Sequence, residues 1–266
     1  MSERGRFYKA HGLGNDYLAL DAAALPFALT PPAVRLLCDR HHGIGSDGIL
    51  ALVPSAAADF GVRIYNPDGS EAEKSGNGLR IFAAYLRETG RVAAGARFRV
   101  ETKAGVVGLA LLGESPDGVF GVEVEMGRAS FHSADVGLRG PDREALGELL
   151  ELESGEKVAI HAVSLGNPHC VVFDDVLDPV ELRRLAPRLA THPAFERGTN
   201  VQFARAVGPA AVEAWVWERG AGETLASGSS ACAVAAVAVR QGWVSERQLE
   251  VRMPGGVLEV EIRDDW

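Results

Sequence analysis

The chain has 266 residues, of which 47% are hydrophobic and 24% are charged, a composition typical of globular proteins. Its formal net charge of −9 argues against a nucleic-acid partner, because nucleic-acid binders usually carry a basic face. No apolar run is long enough for a membrane span. The first residues contain no apolar signal segment, so we expect a cytoplasmic protein whose three scattered cysteines are reduced thiols.

In chain order, alternation and β-branched content first predict a strand at 62–66. A one-faced helix is expected after Ser75, where apolar residues recur at helical spacing over 79–86. Strands at 98–102, 119–126 and 170–173, a helix at 179–189, and strands at 201–207 and 213–217 follow. A helix after Ser227 is apolar almost all round and should therefore be buried, and a strand at 257–262 comes last.

The chain contains a long internal repeat. Ser75 and Ser227 lie 152 positions apart (227 − 75), each followed by a predicted helix. The same offset relates four further pairs, which are Asn15 and Asn167, Gly48 and Asn200, Asn66 and Glu218, and Gly90 and Gly242. Two copies at this period predict two related domains rather than a solenoid. We place these domains at 1–127 and 128–266 and expect an α+β fold with two pseudo-symmetric halves.

Asparagine is rare in this chain, and its positions are informative. All five asparagines occur in glycine-rich or turn motifs of the repeat, namely Asn15, Asn66, Asn77, Asn167 and Asn200. Side-chain amides offer donors and acceptors together, which suits recognition of carboxylate and ammonium groups. The alternative is that asparagine simply tolerates turn geometry at these places. The repetition of the pattern in both halves favours a binding role.

The two serine motifs combine features of a helix cap and of an anion site. Each motif, Ser75-Gly76-Asn77-Gly78 or Ser227-Gly228-Ser229-Ser230, lies between a predicted turn and a predicted helix. Backbone N–H groups at a helix start are unpaired and favour an anion such as a carboxylate. Serine is also a preferred N-cap, so both serines could be purely structural. The duplicated context favours a functional site.

Three further residues are candidates for the site. Glu218 and Arg219 end a predicted strand just before a glycine-rich loop, where they form either a surface ion pair or a ligand contact. His169 follows Asn167 closely and belongs either to the site or to the core. No His, Cys or carboxylate spacing in the chain supports a metal site.

The motifs as a set resemble the diaminopimelate epimerase family of pyridoxal-phosphate-independent amino-acid racemases and epimerases. The likeness runs in order through FYKAHGLGNDY, HHGIGSDG, YNPDGSEAEKSGNGLR, SLGNPHC, RGTNVQF, ERGAGET and MPGGVLEVEI. It implies two pseudo-symmetric domains, each a mixed sheet or barrel around a central helix, with the active site in the interdomain cleft. It also implies a homodimer that uses no cofactor, acts on a small amino-acid substrate, and binds neither nucleic acid nor membrane.

The resemblance implies a role for each candidate residue. In the family, two cysteines invert the α-carbon of a diamino diacid by two-base proton transfer, on the route to lysine, and their positions fall on Ser75 and Ser227. His169 matches a histidine beside the site. Substrate-binding positions carry over to Asn15, Asn66, Asn167, Asn200, Glu218 and Arg219, and the loops that bind the reacting carboxylate carry over to Gly76, Asn77, Gly228 and Ser229.

The chain departs from the family pattern where the chemistry occurs. A cysteine thiol titrates near pKa 8.5, whereas a serine hydroxyl is closer to water, roughly 7 units weaker as an acid. That difference is on the order of 10 kcal/mol against forming the anion, so inversion by Ser75 and Ser227 is expected to be slow or absent. Ser230 replaces a usual glycine. The chain also ends at Asp265-Trp266, so we expect a family segment that closes the first domain's sheet to be missing or rewritten.

Three interpretations of the paired serines remain open. The first is an epimerase whose two cysteines were replaced by design. The second is a natural divergent relative that performs other chemistry, such as dehydration or isomerisation of a related amino acid. The third is a protein that binds an amino acid without acting on it. All three share one site and one class of ligand.

Overall fold

The computed structural model describes residues 5–116 and 118–264. The chain divides into two compact units, Met1–Glu125 and Met126–Trp266. Each unit contains an eight-stranded mixed sheet together with helices. The predicted α+β class with two related domains is therefore confirmed.

The first unit has eight strands and two α-helices in its described part. In chain order these elements are β1 (Phe7–Gly12), β2 (Asn15–Asp21), α1 (Pro31–Cys38), β3 (Ile49–Val53), β4 (Phe60–Tyr65), β5 (Glu71–Ala72), α2 (Gly76–Glu88), β6 (Arg97–Thr102), β7 (Gly105–Glu114) and β8 (Phe120–Val124). The strand order is β1-β2-β3-β4-β6-β7-β8, with the short β5 paired to β4.

The second unit has eight strands and three α-helices in its described part. They are α3 (Ser133–Val136), β9 (Leu146–Glu151), β10 (Lys157–Ser164), β11 (Pro168–Phe173), α4 (Pro179–Ala190), β12 (Asn200–Gly208), β13 (Ala211–Glu218), β14 (Gly222–Thr224), α5 (Gly228–Gln241), β15 (Gln248–Met253) and β16 (Gly256–Glu261). The strand order is β16-β15-β13-β12-β11-β10-β9, with β14 paired to β13.

The sequence repeat is also a repeat of topology. Strands β1 to β7 correspond in order to β10 to β16, and α2 corresponds to α5. Both series pair their strands in the same sequence, antiparallel, parallel, antiparallel, parallel and antiparallel. The remaining strand extends opposite ends of the pattern, because β8 pairs with β7 whereas β9 pairs with β10. The 152-residue offset therefore reflects two copies of one folding unit.

Helix α2 is held by one apolar face, as its sequence predicts. Leu79, Phe82, Ala83 and Leu86 are all fully buried and belong to one core cluster with residues of the surrounding strands. The helix packs against β1, β2, β7 and β8, so the sheet curves around it. Burying these side chains is the main stabilising contribution here, because an isolated helix of this length is marginal in water.

Helix α5 is buried on nearly every side. Its residues from Ala233 to Ala238 are completely inaccessible to solvent, and it packs against β10, β11, β12, β13, β15 and β16. Alanine and valine side chains are short, which allows strands to approach the helix from many directions. The helix ends at Gly242, which has the left-handed conformation (φ 71°) that glycine adopts without steric cost. The prediction that this helix is buried is confirmed.

The other predicted elements are confirmed with small changes of length. All seven predicted strands exist, as β4, β6, β8, β11, β12, β13 and β16, and the predicted helix at 179–189 is α4. The expectation about the chain's last residues concerns Asp265 and Trp266, which lie outside the described residues. Among the helices of residues 5–116 and 118–264, none is long and apolar enough to cross a membrane.

Candidate functional site

The two repeated serines occupy equivalent places at the N-termini of two helices. Ser75 is the N-cap residue of α2 and Ser227 that of α5, both with extended backbone (φ −138° and ψ 116°, φ −144° and ψ 127°). The N–H groups of the first helical turn have no acceptor within the helix, and the helix dipole adds positive potential there. Each serine therefore lies beside backbone groups that favour an anion.

Ser75 acts as a conventional helix cap. Its Oγ accepts a hydrogen bond from the Gly78 N–H at 3.0 Å, which satisfies one of the unpaired donors of α2. The same Oγ lies 3.3 Å from the phenolic oxygen of Tyr17 on β2. The described contacts thus join Ser75 to a weak acid rather than to a strong base. Tyr17 was not among the residues predicted from the sequence.

Ser227 has different partners although its position is equivalent. Its side chain makes no capping hydrogen bond, and its Oγ lies 3.4 Å from Ser229 Oγ. Burial raises the pKa of Glu218, and a hydrogen bond with Ser227 offsets part of that increase. In the second unit, the Ser227 hydroxyl is therefore paired with a carboxyl group whose raised pKa favours its neutral form.

Asn15 lies at the start of β2 beside a compact group of charges. Its Nδ2 donates to Asp47 Oδ2 at 3.2 Å, and the Asp16 N–H donates to the same oxygen at 3.0 Å. Arg40 contacts both carboxylates, at 2.5 Å from Asp16 and 2.7 Å from Asp47. Burial alone would raise the pKa of Asp16, but hydrogen bonds from Arg40 and Lys9 lower it overall. This cluster fixes the position of Asn15.

Two other asparagines of the first unit have local structural partners. Asn66 begins a turn after β4, where its Nδ2 donates to Ser70 Oγ at 2.9 Å and its N–H donates to the Ser70 carbonyl at 2.8 Å. Asn77, in the first turn of α2, is buried and accepts a hydrogen bond from Arg80 Nη2 at 2.6 Å. Burial lowers the pKa of Arg80. Turn geometry therefore explains part of the choice of asparagine at position 66.

The second unit holds its two asparagines by partly buried contacts at the ends of β10, β11 and β12. Asn200 donates from Nδ2 to the Pro168 carbonyl at 3.1 Å, and its Oδ1 accepts the Arg219 N–H at 3.0 Å. Asn167 Oδ1 lies 3.0 Å from His169 Nε2. His169 is completely buried, so it belongs to the core while contacting a candidate binding residue.

Arg219 and the glycine-rich motifs complete the set of predicted residues. The Arg219 side chain is exposed and donates from Nη1 to the Arg197 carbonyl at 2.8 Å. Gly76 opens α2 and Gly228 opens α5, so both supply first-turn N–H groups. The predicted residues thus lie at helix starts, at strand ends or in the turns beside strand ends.

Two other features do not involve these residues. The described part of the chain contains no group of three or more His, Cys, Asp or Glu side chains that could hold a metal ion. A cavity of about 490 Å³ lies between β6, β7 and β8, with Arg97, Arg99, Glu123 and Glu125 in its wall. None of the predicted site residues lines that cavity.

The fold is shared with several amino-acid epimerases and other isomerases of known structure. The chain resembles a hydroxyproline epimerase from Agrobacterium vitis with a TM-score of 0.66 and 17% sequence identity, covering 94% of this chain and 81% of that one. It resembles a methylitaconate-delta-isomerase with a TM-score of 0.63 and 14% identity, covering 97% and 90% of the two chains. These likenesses place the architecture in the class of two-domain epimerase-like proteins.

Sequence comparison identifies the family within this class. The family profile described as Diaminopimelate epimerase matches residues 7–132 and 161–266. A diaminopimelate epimerase 2 from Nostoc sp. is 45% identical over 262 residues, covering 98% of this chain and 90% of the relative. A diaminopimelate epimerase from Desulforudis audaxviator is 44% identical, covering 97% and 92%. The chain belongs to the diaminopimelate epimerase family, which is a family of amino-acid isomerases.

Proposed function

We propose that this chain binds diaminopimelate and that, with serine at positions 75 and 227, it inverts the α-carbon slowly or not at all. The observation that carries the proposal is the combination of an intact set of polar binding residues with hydroxyl groups at both acid/base positions, Ser75 and Ser227. The close relatives named above are diaminopimelate epimerases, and they are similar over nearly the full length of this chain.

The binding residues suit the charges of a diamino diacid. Such a ligand has two carboxylates and two ammonium groups, and it needs donors and acceptors in a fixed arrangement. Arg219 offers a guanidinium that can bind a carboxylate in bidentate fashion. We assign substrate contacts to this residue together with Asn15, Asn66, Asn167, Asn200 and Glu218.

The reacting carboxylate is assigned to the helix starts. The N–H groups of the first turns of α2 and α5 lack intrahelical acceptors, and a carboxylate placed there gains both hydrogen bonds and a favourable dipole. Negative charge that develops at the α-carbon in the transition state would be stabilised by the same groups. We assign this role to Gly76, Asn77, Gly228 and Ser229.

The proton transfer itself is where this chain is expected to fail. Inversion requires one group to remove the α-proton while another supplies a proton to the opposite face. A hydroxyl is roughly 7 pKa units weaker as an acid than a thiol, which is on the order of 10 kcal/mol against the anion. Serine acts as a base or nucleophile only with a partner base. Ser75 lies beside Tyr17, which is itself a weak acid.

One observation favours a second candidate, in which a single base acts without inversion. Ser227 is hydrogen-bonded to Glu218, whose pKa is raised by burial. A carboxyl group with a raised pKa is a better proton acceptor than an ordinary carboxylate. Ser227 and Glu218 could therefore support proton abstraction from one face of the α-carbon, as a dehydratase or an isomerase of a related amino acid requires.

The binding proposal is tested by titration calorimetry with LL- and meso-diaminopimelate. We expect saturable binding of at least one isomer at millimolar concentration or below. Arg219→Ala should abolish it, whereas Arg252→Ala, which removes an exposed arginine from β15, should leave it unchanged. The absence of heat with every isomer at millimolar concentration would refute the proposal.

We also propose a homodimer, which the family resemblance implies. Light scattering coupled to size-exclusion chromatography should then give about twice the chain mass of 28.2 kDa. A mass of one chain across a range of concentrations would contradict this assembly.

A further inference from the structure

A buried chain of hydrogen bonds runs from the N-terminal turn of α5 to Asn167. Gln202 on β12 is completely buried, and its Nε2 donates to Ser230 Oγ at 2.9 Å. The same Nε2 lies 3.1 Å from His169 Nδ1. His169, also completely buried, contacts Asn167 Oδ1 through Nε2 at 3.0 Å. Four side chains of the second unit are therefore linked in one line.

The donors and acceptors of these side chains determine the direction of each hydrogen bond in the chain. An amide nitrogen carries only donors, so His169 Nδ1 must accept from Gln202 and cannot carry a proton. The imidazole is then neutral, with its proton on Nε2, and it donates to Asn167 Oδ1. The Asn167 oxygen accepts from His169 and keeps a second lone pair, whereas its Nδ2 has no hydrogen-bond partner among residues 5–116 and 118–264, so Nδ2 is the donor that Asn167 can offer to a ligand.

The opposite orientation of the Gln202 amide would leave more hydrogen-bonding groups unpaired. Gln202 Oε1 is buried without a hydrogen-bond partner in the described part of the chain. Turning the amide over would pair this oxygen with His169 and Ser230, but it would leave an amino group with two hydrogens unpaired instead. A buried carbonyl oxygen that lacks a partner is tolerated more readily than a buried N–H donor. The observed direction is therefore the favoured one.

Ser230 makes this arrangement possible. It stands where the family usually has a glycine, and its hydroxyl oxygen accepts the second hydrogen of the Gln202 amide. Without that acceptor, Gln202 would bury a donor with no partner. The departure at position 230 therefore has a physical reason in its pairing with Gln202, which the sequence alone did not reveal.

We infer that Gln202 and Ser230 are positioning residues that lock His169 as a neutral Nε2–H tautomer and so make Asn167 a donor selective for a carboxylate group. The assignment of a ligand to Asn167 rests on the proposed function, whereas the tautomer does not. Locked in this way, His169 is not an acid or base for Ser227, because protonating Nδ1 would oppose the Gln202 amide. The chain of hydrogen bonds from Ser230 to Asn167 instead makes Asn167 present a donor, which favours a negatively charged group of the ligand.

The tautomer is measured by ¹⁵N NMR of the full chain labelled at histidine, without ligand. We expect the His169 ring, distinguished from the buried His161 ring by its loss in His169→Gln, to have Nε2 protonated and Nδ1 unprotonated at every pH from about 5 to 8, a range that spans the ordinary histidine pKa. A proton on Nδ1, or titration of this ring within that range, would overturn the inference. When ionised, Gln202→Glu supplies only acceptors, so Nδ1 should become protonated at the pH at which this carboxyl group ionises. An unprotonated Nδ1 beside an ionised carboxylate at position 202 would also overturn it.

The effect on ligand choice is measured by calorimetry with diaminopimelate. Asn167→Asp keeps the oxygen that accepts from His169 and replaces the outward donor by an acceptor, so binding should weaken at least about tenfold, the range for losing a charged hydrogen bond. Gln248→Glu adds the same charge at an exposed position and should change nothing. Equal or tighter binding by Asn167→Asp would show that Asn167 offers an acceptor. If the parent chain binds no isomer, the proposed function fails. The NMR result alone then decides whether Gln202 and Ser230 fix the tautomer of His169.

Discussion

The two equivalent serines should respond differently to the same substitution. Ser75→Ala removes the hydrogen bond of 3.0 Å from the Gly78 N–H, which is the side-chain cap of α2. Loss of an N-cap of this kind costs about 1 kcal/mol. For a cooperative unit of this size, that loss corresponds to a decrease in Tm of about 4 °C. The cost should not depend on pH between about 4 and 8, because neither the serine hydroxyl nor the backbone amide titrates there.

Ser227→Ala removes no cap, but it removes a hydrogen bond to Glu218. That hydrogen bond favours the charged carboxylate, so its loss raises the pKa of Glu218 further. The variant should therefore match the parent near pH 4, where the carboxyl group is protonated in both proteins. It should become less stable than the parent as the pH rises through the range in which Glu218 ionises.

Thermal unfolding of both variants at pH 4 and pH 8, followed by circular dichroism, measures the contrast. Ser75→Thr, which keeps a capping hydroxyl, serves as the control for the first variant. The reasoning is refuted if Ser75→Ala melts at the parent temperature. It is also refuted if Ser227→Ala loses as much stability at pH 4 as at pH 8.

Three further substitutions test other contacts. Folding raises the pKa of Glu218, so the charged form of this residue lowers stability at pH values above the ordinary glutamate pKa. Glu218→Gln should therefore be more stable than the parent at pH 8 and equally stable at pH 4, as measured by urea unfolding. Gly43→Ala should cost at least about 2 kcal/mol in the same assay, because its Cβ would lie 1.8 Å from the Leu36 carbonyl oxygen. Folding lowers the pKa of Asp16, so Asp16→Asn should cost about 1 kcal/mol at pH 7, a difference that shrinks as the pH falls through the folded-state pKa of Asp16.

Much of the fold follows from patterns that are visible along the sequence. The one-faced spacing of α2, the apolar sequence of α5 and the constant offset between the halves predicted the two central helices and their equivalence. Strand β3 was not predicted, because its sequence ILALV is apolar throughout and gives no alternation. Its side chains face cores on both sides of the sheet, and this sequence pattern cannot be distinguished from that of a short helix.

The candidate site was predictable only in part, for a related reason. The positions of Ser75 and Ser227 at helix starts follow from flanking glycines and the helical pattern after them. Tyr17 and Gln202 were missed, because their contacts join residues 58 and 33 positions apart and depend on strand register. Register is set by pairing across the sheet rather than by spacing along the chain. The difference between the two serines also arises from such distant partners.

We propose that this chain retains the binding site of its family but lacks the groups that move the proton. The most direct test is the rate of α-proton exchange of diaminopimelate in deuterated water, measured by NMR for the parent and for Ser75→Cys plus Ser227→Cys. We predict negligible exchange by the parent and rapid exchange with inversion by the double variant, since a thiol is about 7 pKa units more acidic than a hydroxyl. Rapid exchange by the parent, or a double variant that binds the ligand without exchanging its proton, would contradict the account.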